Sequence, residues 1–135
     1  MIVADASLVV AALAEPGPVG SWAEGVLRDS PVAGPHLLPV EVASILRRAV
    51  ALGDISADVG TMAHGDLRRL AIDLFPYEPF AERVWSLRAT VTAYDAWYVA
   101  VAEALGAPLA TLDMRLARAP GPRCEFVVPF SPANP

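Results

Sequence analysis

The sequence predicts an α/β fold, a three-layer α/β/α sandwich with a central parallel sheet. Short apolar runs that suit buried strands alternate along the chain with longer segments of helical periodicity. Hydrophobic residues make up 55% of the 135 residues, a high share that suits a sheet buried on both faces. The chain has no evident linker or repeat, so we expect a single domain over 1–135, with a loose tail at about 130–135.

The first predicted strand is the apolar run 1–4, which ends at Asp5. A helix is expected to follow over 8–14, because the next residues are rich in proline and cannot continue it. A second helix is expected over 19–28, where apolar side chains recur at helical spacing. Prolines and a glycine leave room for only a very short strand at 31–35.

The middle of the chain predicts two long helices, a strand and a shorter helix. The segment 37–52 has apolar residues on one face and ends at Gly53. Ser56 is expected to cap the next helix, which runs to about residue 70. A strand at 71–75 is then stopped by proline, and 78–88 is expected to be helical.

The helix expected over 92–106 has the clearest ends in the sequence. Thr92 and Asp95 fit a capping box, and Gly106 stands where a left-handed residue is preferred. Nearly every face is apolar, which predicts burial on more than one side, and only Asp95 and Glu103 are charged. Asp95 is therefore expected at the positive end of a buried helix dipole.

Three short elements complete the chain: a strand at 109–112, a helix ending at residue 117 and a strand at 126–128. Asp5 and Asp113 are each expected as the first residue after a strand. In parallel sheets, functional sites form at the carboxyl ends of strands, where the strand order reverses. We expect the first strand beside the strand at 109–112, which places both acids at the same edge.

Four carboxylates are the candidate functional residues: Asp5, Glu41, Asp95 and Asp113. Each aspartate also has a structural interpretation as a helix cap or a capping-box acid. Glu41 is harder to explain in this way, because it lies beside the predicted apolar face between Leu38 and Ile45; the structural alternative is a rim position that reaches solvent. Clustered oxygen ligands without cysteine or histidine pairs suit a hard cation such as Mg²⁺ or Mn²⁺.

The absence of lysine excludes several other classes of protein. All ten basic residues are arginine, and the net charge is -5, so no overall basic field attracts a polyanion. A receiver-like domain and a haloacid-dehalogenase-type phosphatase both gather acids on such a sheet, but both need a lysine. A nucleotide-binding module would need a glycine-rich loop directly after the first strand, whereas 17–20 follows a helix.

Four segments together resemble a PIN domain, and the chain is similar to the VapC toxins of VapBC toxin–antitoxin modules. They cover 2–7, 39–48, 94–100 and 111–116. The resemblance implies a Mg²⁺-dependent ribonuclease, in which the metal-holding and catalytic residues would be Asp5, Glu41, Asp95 and Asp113. It also implies that Thr111 orients these acids. Ser44 departs from the family, whose members often carry asparagine at this position.

The resemblance further implies an RNA substrate and a VapB-type antitoxin that blocks the acidic pocket. Arg115 and Arg118 are candidate contacts to RNA phosphate, with a solvated helix face as the alternative. The large hydrophobic fraction leads us to expect a homodimer. A non-catalytic PIN-like module that binds RNA or protein is the alternative function.

A cytoplasmic location is expected from three features of the sequence. No apolar run approaches the roughly 18–20 residues that span a membrane. The N-terminal run has no basic segment and is interrupted by Asp5, which argues against a signal peptide. A single cysteine, Cys124, permits no internal disulfide.

Overall fold

The computed structural model describes residues 1–130. Five strands form one all-parallel sheet: β1 (Ile2–Ala4), β2 (Val32–Pro35), β3 (Ile72–Phe75), β4 (Leu109–Ala110) and β5 (Phe126–Val127). The α-helices of the described residues are α1 (Ala6–Ala14), α2 (Pro18–Asp29), α3 (Leu38–Ala51), α4 (Ala57–Arg69), α5 (Ala81–Ser86), α6 (Ala93–Leu105) and α7 (Met114–Arg118). Beyond Phe130, the tail expected at about 130–135 lies outside the described residues.

The strand order is β3-β2-β1-β4-β5, which places β1 at the centre. Ile2 pairs with Val32 of β2, and Val3 pairs with Leu109 of β4, so the predicted pairing of the first strand with the strand at 109–112 is confirmed. The chain winds outward from β1 through β2 to β3 and then returns to the other side for β4 and β5. The strand order therefore reverses between β1 and β4, and this is where a parallel sheet offers a crevice for a ligand.

The helices cover both faces of the sheet. Helix α1 packs against α2, α3 and α4, whereas α6 packs on β1, β2 and β4 and against α5. Right-handed crossovers, the usual hand for parallel strands, place α1 to α4 on one face and α5 to α7 on the other. The predicted α/β sandwich with a central parallel sheet is confirmed. Within residues 1–130, no helix is both long enough and apolar enough to cross a membrane.

The core is built from small apolar side chains, which allow the helices to approach the sheet closely. Strand β1 is buried along its whole length, and the interior of α6 is buried from Tyr98 to Ala102. Gly106 ends α6 with φ 60°, a left-handed conformation that favours glycine. The predicted burial and C-terminal cap of this helix are confirmed.

The predicted elements are all present, with ends within two residues, except for the helix expected over 78–88. That segment divides into a 3₁₀ turn, Glu78–Phe80, and helix α5. The prediction that Asp113 directly follows a strand is wrong, because β4 ends at Ala110. The hydroxyl of Thr111 accepts the amide of Asp113 at 2.9 Å, and this bond turns the chain before α7.

Two large apolar side chains on the helices are at the surface, among them Ile45 of the predicted apolar face. Ile45 is 39% exposed, and the buried face of α3 consists instead of Leu38, Val42 and Leu46. Trp85, a large apolar side chain of α5, is 67% exposed. The guanidinium of Arg88 stacks over its ring at 4.7 Å and covers part of this apolar surface.

Candidate active site

The four predicted carboxylates all stand at helix N-termini. Asp5 is the N-cap of α1 and Asp113 is the N-cap of α7, while Glu41 and Asp95 lie in the first turns of α3 and α6. Asp5 and Asp113 follow β1 and β4, the two strands that flank the reversal of strand order. The fold therefore brings acids from four separate segments to the carboxyl edge of the sheet.

Asp5 is held by three hydrogen bonds and is only 6% exposed. Its Oδ1 accepts the hydroxyl of Ser7 at 2.6 Å and the amide of Leu8 at 3.1 Å, which is the capping bond of α1. Its Oδ2 accepts the hydroxyl of Thr111, which is fully buried. Ser7 in turn accepts the amide of Leu112 at 3.2 Å, so the segments after β1 and β4 are joined twice.

Thr111 connects Asp5 to Asp113. Its hydroxyl donates to Asp5 and accepts the backbone amide of Asp113. The Asp113 carboxylate caps α7, because its Oδ1 accepts the amides of Arg115 at 2.9 Å and Leu116 at 3.3 Å. The Thr111 hydroxyl therefore links the carboxylate of Asp5 to the backbone of Asp113.

Glu41 is paired with Tyr98, a residue that the sequence analysis does not identify. The hydroxyl of Tyr98 donates to Glu41 Oε1 at 2.7 Å, and the tyrosine is only 1% exposed. Tyr98 follows Asp95 by three residues, so both side chains lie on the same face of α6. That spacing is the one sequence signal that could have identified it, since tyrosine at a buried position usually needs a partner for its hydroxyl.

Asp95 lines an open pocket of about 270 Å³ whose wall also includes Thr92, Asp113 and Arg115. The hydroxyl of Thr92 accepts the amide of Asp95 at 3.2 Å, which confirms half of the predicted capping box. The reciprocal bond, from the Thr92 amide to the Asp95 carboxylate, is absent from the part of the chain that the structure describes. The Asp95 carboxylate is therefore not engaged by the Thr92 backbone amide.

The acids disfavour one another's charged forms. Burial and, to a smaller extent, the charges of Asp113, Asp5 and Glu41 together raise the pKa of Asp95 to about 6, against the lowering effect of the Thr92 hydroxyl. Burial also raises the pKa of Asp5, against the lowering effect of its hydrogen bonds. The pKa of Glu41 is raised by burial and by Asp5, and lowered by the bond from Tyr98.

No basic side chain neutralises this cluster in residues 1–130. The ion pairs described there are Arg28–Asp29, Arg69–Asp66 and Arg83–Glu103, and none includes a site acid. The two histidines, His36 and His64, are both exposed.

The donor set suits a hard divalent cation, because it consists of carboxylate oxygens whose charge is otherwise uncompensated. Within residues 1–130, however, no three acidic, histidine or cysteine side chains converge into a ready-made metal site. The hydrogen bonds explain this arrangement: hydroxyls hold both oxygens of Asp5, amides hold Asp113, and Tyr98 holds one oxygen of Glu41. Mutual repulsion of the acids acts in the same direction.

Arg115 lies in the wall of the pocket that Asp95 and Asp113 line. Arg118 is exposed one turn further along α7. Neither side chain forms an ion pair among the described residues, so both remain candidate contacts for phosphate.

Comparison with known proteins identifies relatives along nearly the whole chain. The family described as the PIN domain matches residues 2–122. Ribonuclease VapC1 of Mycobacterium tuberculosis strain H37Rv is 46% identical over 125 residues, which cover 92% of this chain and 94% of the relative. Ribonuclease VapC9 of the same strain is 40% identical over 128 residues, which cover 95% and 98%.

Two solved structures share the fold. PAE2754 from Pyrobaculum aerophilum has a TM-score of 0.66 at 18% identity, with 93% of this chain and 81% of that chain covered. VapBC2 from Rickettsia felis, bound to a DNA fragment from its promoter, contains a chain with a TM-score of 0.66 at 14% identity and coverage of 95% and 98%.

Proposed function

The chain belongs to the PIN-domain family, and from this premise we propose that it is the toxin ribonuclease of a VapBC-type toxin–antitoxin pair. It would hydrolyse phosphodiester bonds in RNA with the help of Mg²⁺ or Mn²⁺. The names and the high identity of the VapC ribonucleases support the activity. The observation that carries the proposal is the placement of four acids from four segments at the sheet edge where strand order reverses. The charges of the other three help to raise the pKa of Asp95, and no described basic side chain pairs with any of them.

In this proposal, Asp5, Glu41, Asp95 and Asp113 hold the cation. A bound divalent cation neutralises charge on the phosphate and makes a water molecule nucleophilic. Thr111 and Ser7 hold the Asp5 carboxylate at the end of β1. The charge-bearing groups are thus fixed by the protein before substrate arrives, which reduces the reorganisation that the reaction requires.

RNA would be drawn to the site by local rather than overall charge, because the net charge is -5. We propose that Arg115 contacts a phosphate next to the scissile bond, since it lines the same pocket as Asp95 and Asp113. Arg118 would extend this contact along α7.

We further propose that a second copy of the chain and a VapB-type antitoxin cover the apolar surface. Large apolar side chains remain exposed on both faces of the molecule, among them Val40, Met62 and Trp85 at 66%, 69% and 67%. Such surface is typical of interaction sites. The antitoxin would inhibit the enzyme by covering the acidic pocket, with an arginine side chain supplying the positive charge that the four acids lack.

The proposal is tested by incubating the purified chain with total RNA in Mg²⁺ and in EDTA. We expect cleavage in Mg²⁺, none in EDTA, and a loss of at least about 100-fold for Asp5→Asn, which removes one charge and keeps the side chain's size. Ser56→Ala serves as a control, because it removes an N-cap bond of α4 at 3.1 Å and destabilises the fold away from the acids. It should retain cleavage.

The same assay decides between the two functions. Cleavage that persists in EDTA, or at the parental rate in Asp5→Asn, would contradict the metal-nuclease proposal. A parent chain that binds RNA but cuts none in either Mg²⁺ or Mn²⁺ would favour the non-catalytic binding module.

A further inference from the structure

The bond between Tyr98 and Glu41 connects the two helical layers at the acidic edge. Tyr98 lies in α6 and Glu41 lies in the first turn of α3, 57 residues apart in the sequence. The tyrosine is almost completely buried, whereas Glu41 is only partly buried. A buried, stiff ring therefore holds a flexible side chain that could otherwise turn toward solvent.

We propose that Tyr98 is the positioning residue for Glu41, and that it fixes this carboxylate so that a single oxygen, Oε2, faces the cation. The inference rests on the proposed function, because it takes Glu41 to be a ligand. Within residues 1–130, Oε1 accepts the Tyr98 hydroxyl at 2.7 Å and Oε2 accepts no hydrogen bond from the protein. In this proposal, Glu41 would offer the cation Oε2, the oxygen that has no protein donor.

The geometry of α6 adds a second consequence. Asp95 and Tyr98 are three residues apart and lie on the same helical face. The bond from Tyr98 therefore relates the position of the Glu41 carboxylate to that of Asp95 through one rigid turn of helix. Two ligands from opposite layers of the sandwich are held at a fixed spacing, which a rigid cation site requires.

Asp5 and Asp113 also accept hydrogen bonds from the protein, so the bond from Tyr98 to Glu41 belongs to a pattern among the site acids. Thr111 and Ser7 donate to Asp5, and the amides of α7 donate to Asp113. Glu41 has only Tyr98 as a protein donor in the described residues. Carboxylates that hold metals are usually hydrogen-bonded in turn by the protein, and loss of such a partner commonly weakens binding.

The Tyr98 hydroxyl remains a hydrogen-bond donor over the whole working pH range. Burial and the neighbouring carboxylates raise the pKa of Tyr98 far above its ordinary value. The phenol therefore keeps its proton and can only donate to Glu41, which accepts as a carboxylate. Replacing the tyrosine by phenylalanine removes this one donor and keeps the ring that fills the core.

The test is the affinity for Mn²⁺ and Mg²⁺, measured by calorimetric titration without RNA. For Tyr98→Phe we expect the dissociation constant to rise roughly 10- to 100-fold. The matched control is Tyr94→Phe, the same chemical change on the same helix at a residue that is 62% exposed. It should bind metal as the parent does. The Mg²⁺ concentration for half-maximal cleavage should rise in parallel for Tyr98→Phe only.

A double-mutant cycle separates positioning from packing. In a Glu41→Gln background the ligand is already lost, so Tyr98→Phe should change the remaining metal affinity by less than about 2-fold. An equal loss in both backgrounds would show that Tyr98 acts through the general packing of the fold and would overturn the proposal. A Tyr98→Phe chain that fails to fold without metal would overturn it in the same way.

Two further outcomes distinguish this inference from the proposed function. If the parent binds metal and Tyr98→Phe binds it equally well, the positioning role is wrong while the ribonuclease proposal stands. If the parent binds neither Mg²⁺ nor Mn²⁺, both are wrong.

Discussion

The side chain that organises the centre of the site is Thr111. It is fully buried, it donates to Asp5, and it accepts the amide of Asp113. Its methyl group packs in the core while its hydroxyl determines the orientation of one acid and the turn that presents another. The sequence suggests this role only through the resemblance to PIN domains, because a threonine at the end of a strand does not by itself indicate a functional site.

Replacing Thr111 by valine should separate the hydroxyl from the methyl group. The change keeps the shape of the side chain and removes both hydrogen bonds, so we expect a loss of about 2 kcal/mol in the free energy of unfolding. Cleavage should fall roughly 10- to 100-fold, because Asp5 loses its orientation. Thr111→Ser keeps the hydroxyl and should retain most of the cleavage while losing some stability. Equal cleavage by Thr111→Val and the parent would contradict this role.

Asp95 makes the stability of the metal-free protein depend on pH. Burial raises its pKa from 3.8 to about 6, so between these values the folded protein holds a proton that the unfolded chain has released. The free energy of unfolding should therefore fall as pH rises through this window, by less than about 3 kcal/mol because Asp95 is partly exposed to solvent. Urea unfolding in EDTA at several pH values measures this slope.

The Asp95→Asn variant isolates the contribution of this one group. Asparagine does not titrate. The free energy of unfolding of the variant should therefore change less with pH, between about pH 4 and pH 6, than that of the parent. In saturating Mg²⁺ the parent's slope should reverse, since a cation binds the deprotonated acids and stabilises them. Identical slopes for parent and variant in EDTA would show that Asp95 is not perturbed by its neighbours.

At the scale of the elements, four helices begin at the same edge of the sheet and each carries one acid. Anions are favoured at helix N-termini, so each acid satisfies a local structural preference and contributes to a joint site. This is why single motifs in the sequence support both a capping and a catalytic interpretation. The order of the strands determines that these four helix N-termini lie at one edge of the sheet.

The opposite end of α6 is fixed by a bidentate ion pair. Arg83 of α5 donates to Glu103 through Nε at 2.7 Å and Nη2 at 3.0 Å, and Nη2 also donates to the carbonyl of Gly121 at 2.9 Å. The amide of Arg123 donates to Glu103 Oε2 at 2.7 Å. Burial alone would raise the pKa of Glu103, but these bonds outweigh it and lower the pKa.

Glu103→Ala should therefore cost about 2 kcal/mol of unfolding free energy at neutral pH, because it leaves a partly buried guanidinium unpaired. This contribution should disappear as pH falls through the lowered pKa of Glu103. Cleavage per folded molecule should be unchanged, since the pair lies far along α6 from Asp95. Asp66→Ala removes the exposed pair with Arg69 at 3.2 Å and serves as a control that should cost less than about 1 kcal/mol. If chemical denaturation showed that Glu103→Ala and Asp66→Ala lose similar amounts of unfolding free energy, the stabilising role of the Glu103 pair would be wrong.

The sequence predicts the elements well where apolar runs have clear breakers, as for β1 before Asp5 and for α6 between Thr92 and Gly106. It fails where the outcome depends on distant neighbours. Ile45 fits the helical pattern of the core, yet no element covers it. The contact of Glu41 with Tyr98 joins residues from two layers, and no local pattern records it.

At the scale of the whole molecule, the fold class and the place of the site follow from one feature, the reversal of strand order beside β1. The alternation of strands and helices predicts a parallel sheet, and the two aspartates near strand ends predict its functional edge. The side-chain geometry of the site does not follow in this way. It depends on hydroxyl donors, such as Thr111, whose partners are brought near only by folding.

The exposed apolar side chains predict that the chain does not act alone. Light scattering should give a mass of twice 14.2 kDa at high protein concentration. Addition of a purified VapB-type antitoxin should abolish cleavage, and replacement of its arginines that reach the pocket should restore it. A monomer at high concentration that no antitoxin inhibits would contradict this picture of the assembly.

The central claim is that the four acids form a cation site for RNA cleavage, and Asp95→Asn with and without Mg²⁺ tests it most directly. Melting curves and RNA cleavage are measured on the same preparations. We expect Mg²⁺ to raise the melting temperature of the parent. The variant should gain little from Mg²⁺, cut no RNA, and melt without metal at or above the parental temperature, because one of several repelling charges is gone. A variant that cuts RNA at the parental rate and melts lower than the parent would show that Asp95 is only a helix-capping acid, and would contradict the account.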